Sequence, residues 1–423
     1  MINKFKFTIL SCLGAALEYY DFIIYGMMAS YLTEVFFAGN HHNTNFLKVF
    51  SVLAIGYLAR PLGGLLFGLF SDIYGRKKSL LLVMSVMAVA TISIGLLPSY
   101  AQAGALSPCL LTICRFMQGL SFGAEIPCIT SLIKEQRHNE KIGKYLGWIL
   151  SSTSLGALLA STTVFMISHF FTHTEIISWA WRIPFMFGAM LSIIIFITRT
   201  TLPDDSLVYA QNYLIPLKHS NSIKLIKDLF KNHYKNLWIG VFITLFFSYL
   251  IIITLYLPVY LNKQFGFTTQ DFFSTMTIGI LISGILAPIF GHLSDVLPKV
   301  QLLRIIPILF IIFLVIALRC MQSGTYVSLA FFIFGYEIFI SMFAANCLTI
   351  LPELFNTNIR ATGIGVCYNL AYSLASLCPL LLSPILETDL HIIAMTIFSI
   401  CIVFITIVAS YNIIFKNISY KTS

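Results

Sequence analysis

The chain has 423 residues, of which 58% are hydrophobic and only 10% charged, and its net charge is +9. A soluble globular domain carries about 25% charged residues, so this composition excludes one. Continuous apolar runs of about 20 residues recur along the whole length, with no period-two alternation, which excludes a β-barrel and predicts a polytopic α-helical membrane protein.

Twelve spans are predicted, at 7–33, 46–70, 79–98, 105–133, 143–171, 183–200, 236–261, 271–296, 302–320, 325–350, 361–386 and 391–415. With the N-terminus inside, the even-numbered loops hold most of the 26 Lys and Arg, Arg199 among them, and the positive-inside rule fixes that orientation. The net charge is therefore a topology signal, since no soluble basic domain exists to bind nucleic acid. The nine cysteines lie mostly in spans, at spacings that suggest neither a metal site nor a disulfide framework. The first span lacks a small-x-small cleavage pattern and reads as retained.

Span one carries two carboxylates in "LEYYDFIIYG", Glu18 and Asp21, which share a helix face that Tyr25 extends. Acids at that depth persist where they face protein or an aqueous cavity. Span two holds Arg60 before Pro61, then Gly63, Gly64 and Gly68, which allow close helix contact; Gly56 precedes them. Span four places Arg115, Gln118, Phe122 and Glu125 in one stripe. Counting about 1.5 Å per residue from the span centres brings Asp21 and Arg115 within roughly one turn in depth, so an ion pair between them is expected. Asp21 is its titrating member, because Arg stays protonated. The alternative is a static pair that locks helix packing. Glu18 and Glu125 are further candidates for proton or substrate binding, and Arg60 either pairs with Glu18 or meets a substrate carboxylate. Trp179 and Trp181 flank Arg182 at the outer edge and read as interface anchors.

A hydrophilic stretch follows span six. Within it, "SIKLIKDLFK" sets Ile223, Ile226, Leu229 and Phe230 against lysines, the pattern of a helix on an anionic membrane surface or of a plain solvated linker. In the second half, Glu337 of span ten is an intramembrane acid, and Tyr336, Asn346, Tyr368 and Asn369 are neutral hydrogen-bonding candidates for a cavity or for helix contacts. The halves repeat weakly. "GLFSDIYGRKK" after span two and "GHLSDVLPK" after span eight both set Gly four before Asp, ahead of a basic residue. Two six-helix halves, at 1–200 and 236–423 with a basic linker at 201–235, are the architecture of many secondary transporters.

At these residues the chain resembles the major facilitator superfamily. Its loop signature is matched by Gly68, Asp72, Gly75, Arg76, Lys77 and Lys78, with Ile73 departing from the usual basic residue. "GAALEYYDFIIYG", "ARPLGGLLFG", "RFMQGLSFGAE", "WRIPFMFG" and "ELFNTNIRATGIGVCYNLAY" narrow the resemblance to its metabolite:proton symporters, which include proline/betaine, α-ketoglutarate, citrate and shikimate transporters. The resemblance implies that Gly68, Gly75, Asp72, Arg76, Asp295, Glu353 and Arg360 are inner-gate residues and that Asp21 with Arg115 is a proton-coupling pair. It departs from drug antiporters, because span five reads "SSTSLGALLASTT" without their Gly-Pro pattern, and from osmosensors, because only a short tail follows span twelve.

The expectation is an all-α membrane protein of twelve helices and no enzyme. It imports a small polar metabolite with protons by alternating access, as a monomer in a bacterial inner membrane with both termini inside. Substrate contacts are expected from Tyr25, Arg60, Gln118, Tyr336, Glu337, Tyr368 and Asn369. No catalytic residue, metal or organic cofactor is expected; the proton is the coupling ion, the substrate and lipids are the partners, and no Walker sequence indicates ATP. Four intramembrane acids against Arg60 and Arg115 lean toward a zwitterion, an amino acid or betaine, with organic acids open. An exporter of the same fold and a transporter-like receptor are the alternatives.

Overall fold

The computed structural model describes residues 4–37, 42–136, 141–200, 222–378 and 391–421, and these are helical almost throughout. In lipid each backbone N–H and C=O must find its partner inside the segment, which leaves the helix as the form for these apolar runs. The helices are α1 (Lys4–Met27), α2 (Ala29–Phe36), α3 (His42–Tyr74), α4 (Arg76–Leu96), α5 (Tyr100–Ala103), α6 (Leu106–Gln136), α7 (Gly143–Phe170), α8 (His173–Ser178) and α9 (Ile183–Thr200). After them come α10 (Ser222–Asn232), α11 (Tyr234–Phe265), α12 (Thr269–Val296), α13 (Lys299–Met321), α14 (Tyr326–Ile350), α15 (Arg360–Ala375) and α16 (His391–Lys421). Large apolar side chains point outward, among them Ile285, Val327 and Phe404 at 70%, 76% and 65% exposure, a surface that suits lipid rather than water.

Among the described residues nine helices are long and apolar enough to cross a membrane. The predicted spans that fall outside this set correspond to α1, α6 and α15. Helices α1 and α6 carry the buried charges that dilute their apolar windows, and the second part of span eleven, like linker residues 201–221, lies outside the described residues. Span one is two helices rather than one, with Met28 between α1 and α2 at φ −88° and ψ 4°.

Contacts divide the described chain into two compact units. One holds 1–132, 152–225 and 357–366; the other holds 133–151, 226–356 and 367–423. In the first, α3 and α6 meet backbone to backbone. A Cβ on Gly63 would lie 1.9 Å from the Leu120 carbonyl oxygen, and one on Gly119 would lie 2.1 Å from that of Gly56, so only glycine fits at this approach. Trp181 is fully buried against Phe36 and Phe185, which corrects its reading as an interface anchor; only Trp179, half exposed, fits that role. In the second unit, Glu337 of α14 packs against α12. The hydrophobic face of α10 also differs from the expectation: Leu225 and Leu229 are buried, while Ile223 and Phe230 are exposed.

Candidate functional site

The intramembrane charges of the first unit lie on α1, α3, α6 and α9. Helices α1 and α6 run antiparallel, so successive turns of one meet successive turns of the other. At the first level Arg199 of α9 lies over Gly14 of α1, where a Cβ would stand 1.8 Å from Nη2, and its guanidinium grips Glu125 of α6. Nη2 donates to Oε1 at 2.6 Å and Nη1 to Oε2 at 3.4 Å, with both side chains 2% exposed. One turn along, Glu18 accepts from Ser121 Oγ at 3.2 Å, and its Oε2 has no hydrogen-bond partner. Ser121 has the Val83 carbonyl of α4 as an alternative acceptor at 2.7 Å.

At the next level Asp21 is fully buried. It accepts from Ser192 of α9 at 3.1 Å, and its Oδ1 has no hydrogen-bond partner. Gly188 of α9 sits against that oxygen, where a Cβ would come within 2.2 Å, so glycine here admits the carboxylate. Arg115 is also fully buried. It donates to Gln118 Oε1 at 2.6 Å and to the Phe22 carbonyl at 3.3 Å, and its guanidinium stacks 4.0 Å from the Tyr25 ring centroid. Gln118 passes the chain on to Thr91 of α4 at 2.9 Å. Arg60 of α3, 1% exposed, lies over the Phe122 ring at 4.6 Å and the Tyr57 ring at 5.6 Å.

Two expectations are corrected here. The direct Asp21–Arg115 ion pair is not formed, because α9 supplies Asp21 with Ser192 while Arg115 is taken up by Gln118, Phe22 and the Tyr25 face. Arg199 is not a loop cation; it is buried in α9 as the partner of Glu125. Its position at the cytoplasmic end of a span hid it. The stripe Gly188, Ser192, Arg199, spaced four and seven, is the sequence signal for one polar face on α9.

In the second unit Glu337 is buried beside Ser283 and packs on Gly279, where a Cβ would come within 3.1 Å of its Cγ. Tyr336 donates to the Leu250 carbonyl at 3.0 Å, and Tyr368 donates to Tyr372 at 3.4 Å. Asn369 is fully buried, and Asn346 donates to the Lys299 carbonyl at 3.0 Å, a bond that ties α14 to the start of α13.

The repeated Gly-x-x-x-Asp sequence does the same work twice. Asp72 accepts from the N–H of Ala361 at 3.2 Å and of Thr362 at 2.9 Å, at the start of α15, and also from the Thr362 hydroxyl and from Arg76. Arg76 in turn donates to the Thr357 carbonyl at 3.1 Å. Asp295 accepts from the N–H of Gly143 at 2.8 Å and of Lys144 at 3.0 Å, at the start of α7. Each carboxylate thus caps a foreign helix N-terminus, where unpaired N–H groups and the helix dipole favour an anion. The glycine four residues earlier makes room: a Cβ on Gly68 would lie 2.8 Å from Thr362 Cα, and one on Gly291 would lie 2.2 Å from the Gly143 oxygen. Gly75, at φ 99°, allows the tight turn from α3 into α4. Glu353 bonds Lys299 at 2.8 Å and Lys134 at 3.5 Å. Arg360 is half-buried at the start of α15.

Comparison with known proteins gives the family and the fold. The family model described as Major Facilitator Superfamily matches residues 11–379. A putative metabolite transport protein of Haemophilus influenzae is 30% identical over 383 residues, covering 87% of this chain and 86% of that protein. A putative proline/betaine transporter of Staphylococcus aureus is 29% identical over 88% of this chain and 80% of its own length. The proline/betaine transporter of Salmonella typhimurium is 28% identical over 89% and 77%. Among solved structures, the proton:xylose symporter XylE bound to 6-bromo-6-deoxy-D-glucose superposes with a TM-score of 0.75 at 16% identity, over 96% of this chain and 94% of that one, a likeness of fold. The chain is thus a multi-pass transport protein and not an enzyme: it belongs to the Major Facilitator Superfamily, and its curated relatives fit that superfamily's metabolite:proton symporters.

Proposed function

We propose that this transporter is a proton-coupled symporter that imports a small polar metabolite across a bacterial inner membrane, as a monomer with both termini in the cytoplasm. The observation that carries the reading is Asp21: a carboxylate fully buried in a membrane helix, with one oxygen bonded to Ser192 and the other without a partner. A buried acid with no direct ion pair is costly to ionise, so its charge follows the water and ions that reach it. Proton binding at such a group can be tied to which side of the membrane the site faces. Alternating exposure of that kind, by two six-helix halves of the sequence, is the motion we assign to it.

The substrate class follows from the cations. Arg199 is matched by Glu125, while among the described residues the acids Glu18, Asp21 and Glu337 form no salt bridge, and Arg115 bonds only neutral groups, Gln118 and the Phe22 carbonyl. The face of Arg115 is covered by the Tyr25 ring, and its Nε has no hydrogen-bond partner. An arginine so placed suits a substrate carboxylate. The remaining acids suit a positive group, so a zwitterion, an amino acid or betaine, is the substrate class we favour, as in the relatives named for proline and betaine. An organic acid is the second reading, favoured by Arg115 alone.

Purified protein in liposomes tests the function. An inward proton gradient should drive uphill accumulation of label, and a protonophore should abolish it. Asp21→Asn should lose accumulation yet retain exchange of labelled for unlabelled substrate at equal pH, which needs no net proton movement. A variant that accumulates like the parent would remove Asp21 from the mechanism. A thermal-shift screen against amino acids, betaines and di- and tricarboxylates decides between the substrate classes, because binding raises stability by mass action.

A further inference from the structure

We propose that Glu18, Glu125 and Arg199 form a proton-binding site in which two carboxylates share one guanidinium and one proton. The site rests on the reading of the chain as a proton-coupled transporter and gives that reading a second proton group beside Asp21. Gly14 and Glu18 are one turn apart on α1, and Ser121 and Glu125 are one turn apart on α6. Arg199 reaches from α9 into the notch over Gly14 and holds Glu125, so it lies one turn from Glu18. The charged groups facing Glu18 are Glu125 from α6, Arg199 from α9 and Asp21 from its own helix; α4 offers only the neutral Val83 carbonyl through Ser121. Cys128, one turn beyond Glu125, is the other titratable neighbour of that acid.

The charge count decides the protonation. One guanidinium balances one carboxylate, and two ionised acids beside a single cation in a dry site are unfavourable. With Glu125 ionised on Arg199, Glu18 carries the proton and the cluster is neutral. When water reaches the site, the O–H bond of Glu18 breaks, the electron pair stays on the carboxylate, and the proton leaves to water. The cluster then has one net negative charge, and the free Oε2 of Glu18 draws the guanidinium away from Glu125. Glycine at position 14 leaves Arg199 room to make that move. Protonation would thereby set which helix, α1 or α6, is fastened to α9.

Infrared difference spectroscopy of the purified full-length protein reads this directly, because a protonated carboxyl absorbs apart from a carboxylate. Asp21 and Glu337 are buried acids as well, so the measurement uses an Asp21→Asn, Glu337→Gln background, in which a step from acid to alkaline pH should remove one protonated-carboxyl band. In that background Glu18→Gln should abolish the band, and so should Glu125→Gln, because the one acid that remains then has the Arg199 guanidinium to itself. If Glu18→Gln does not fold, Glu18→Asp, which keeps a carboxyl, should shift the band. A band that survives both Gln variants, or stays unmoved in Glu18→Asp, overturns the shared-proton site. Proton-driven uptake by the parent is measured separately. Uptake that ignores a pH gradient overturns the transport reading while the band can still stand; gradient-driven uptake without the band overturns this site alone.

Discussion

Asp72→Asn is the sharpest perturbation of the two helix-capping carboxylates, and Asp295→Asn is its internal control. Asp72 is buried and accepts from two backbone N–H groups, the Thr362 hydroxyl and Arg76. The amide keeps one acceptor oxygen but turns an NH2 toward donors and leaves Arg76 without its counter-ion. Removing one partner of a buried ion pair costs about 3–5 kcal/mol. Arg76 retains Ser71 and the Thr357 carbonyl, which places the expected loss near the lower end, about 3 kcal/mol, or roughly a hundredfold in the contact between Asp72 and α15. Asp295 is half-exposed and accepts from two backbone N–H groups; asparagine also serves at helix N-termini, so its change costs about 0.3–1 kcal/mol. Thermal unfolding of both variants in one detergent should rank Asp72→Asn well below Asp295→Asn. In paired assays Asp72→Asn should keep substrate binding and lose uptake, the outcome expected of an inner gate at Asp72. Equal thermal losses, or binding and uptake that fall together, would refute the reasoning.

Arg199→Met should destabilise the protein by about 3 kcal/mol by leaving Glu125 buried without its cation, and adding Glu125→Leu should restore most of that loss. Thermal midpoints of the single and double variants in the same detergent check this. Gly119→Val should prevent α3 and α6 from meeting, since a Cβ there already stands 2.1 Å from the Gly56 oxygen; the yield of monodisperse protein should fall sharply. Gly188→Ala should crowd Asp21 Oδ1 and weaken proton-driven accumulation with little effect on expression, read by comparing uptake with the amount of protein in the membrane.

Charges in the middle of apolar runs are conspicuous, and for that reason Glu18, Asp21, Arg60, Arg115, Glu125 and Glu337 were legible from sequence as buried groups. Their pairing was not. Depth counted along straight helices is good to about a turn, and it says nothing about which side of a helix a third helix occupies. Ser192 on α9 took the place at Asp21 that Arg115 was expected to fill. Arg199 escaped because a cation at the cytoplasmic end of a span reads as a topology signal. The paired Gly-x-x-x-Asp segments did announce two equivalent sites, but not that each carboxylate would cap a helix distant in sequence, since no local pattern in "IRATGIG" or "KIGKYLG" marks its first N–H groups as waiting for an acceptor.

The glycine seam between α3 and α6 has a mechanical consequence. Side chains between helices yield by changing rotamer; two backbones in contact have nothing to adjust, so the pair is stiff. Arg60 and Asp72 lie twelve residues apart on α3, about 18 Å along its axis. The stiff stretch runs from Gly56 to Gly63, so it holds the level of Arg60 and the rings that cover it, while the stretch from Gly64 to Asp72 packs on α15. A single methyl in the seam would push the two backbones apart and put yielding side chains where rigid chain now meets rigid chain.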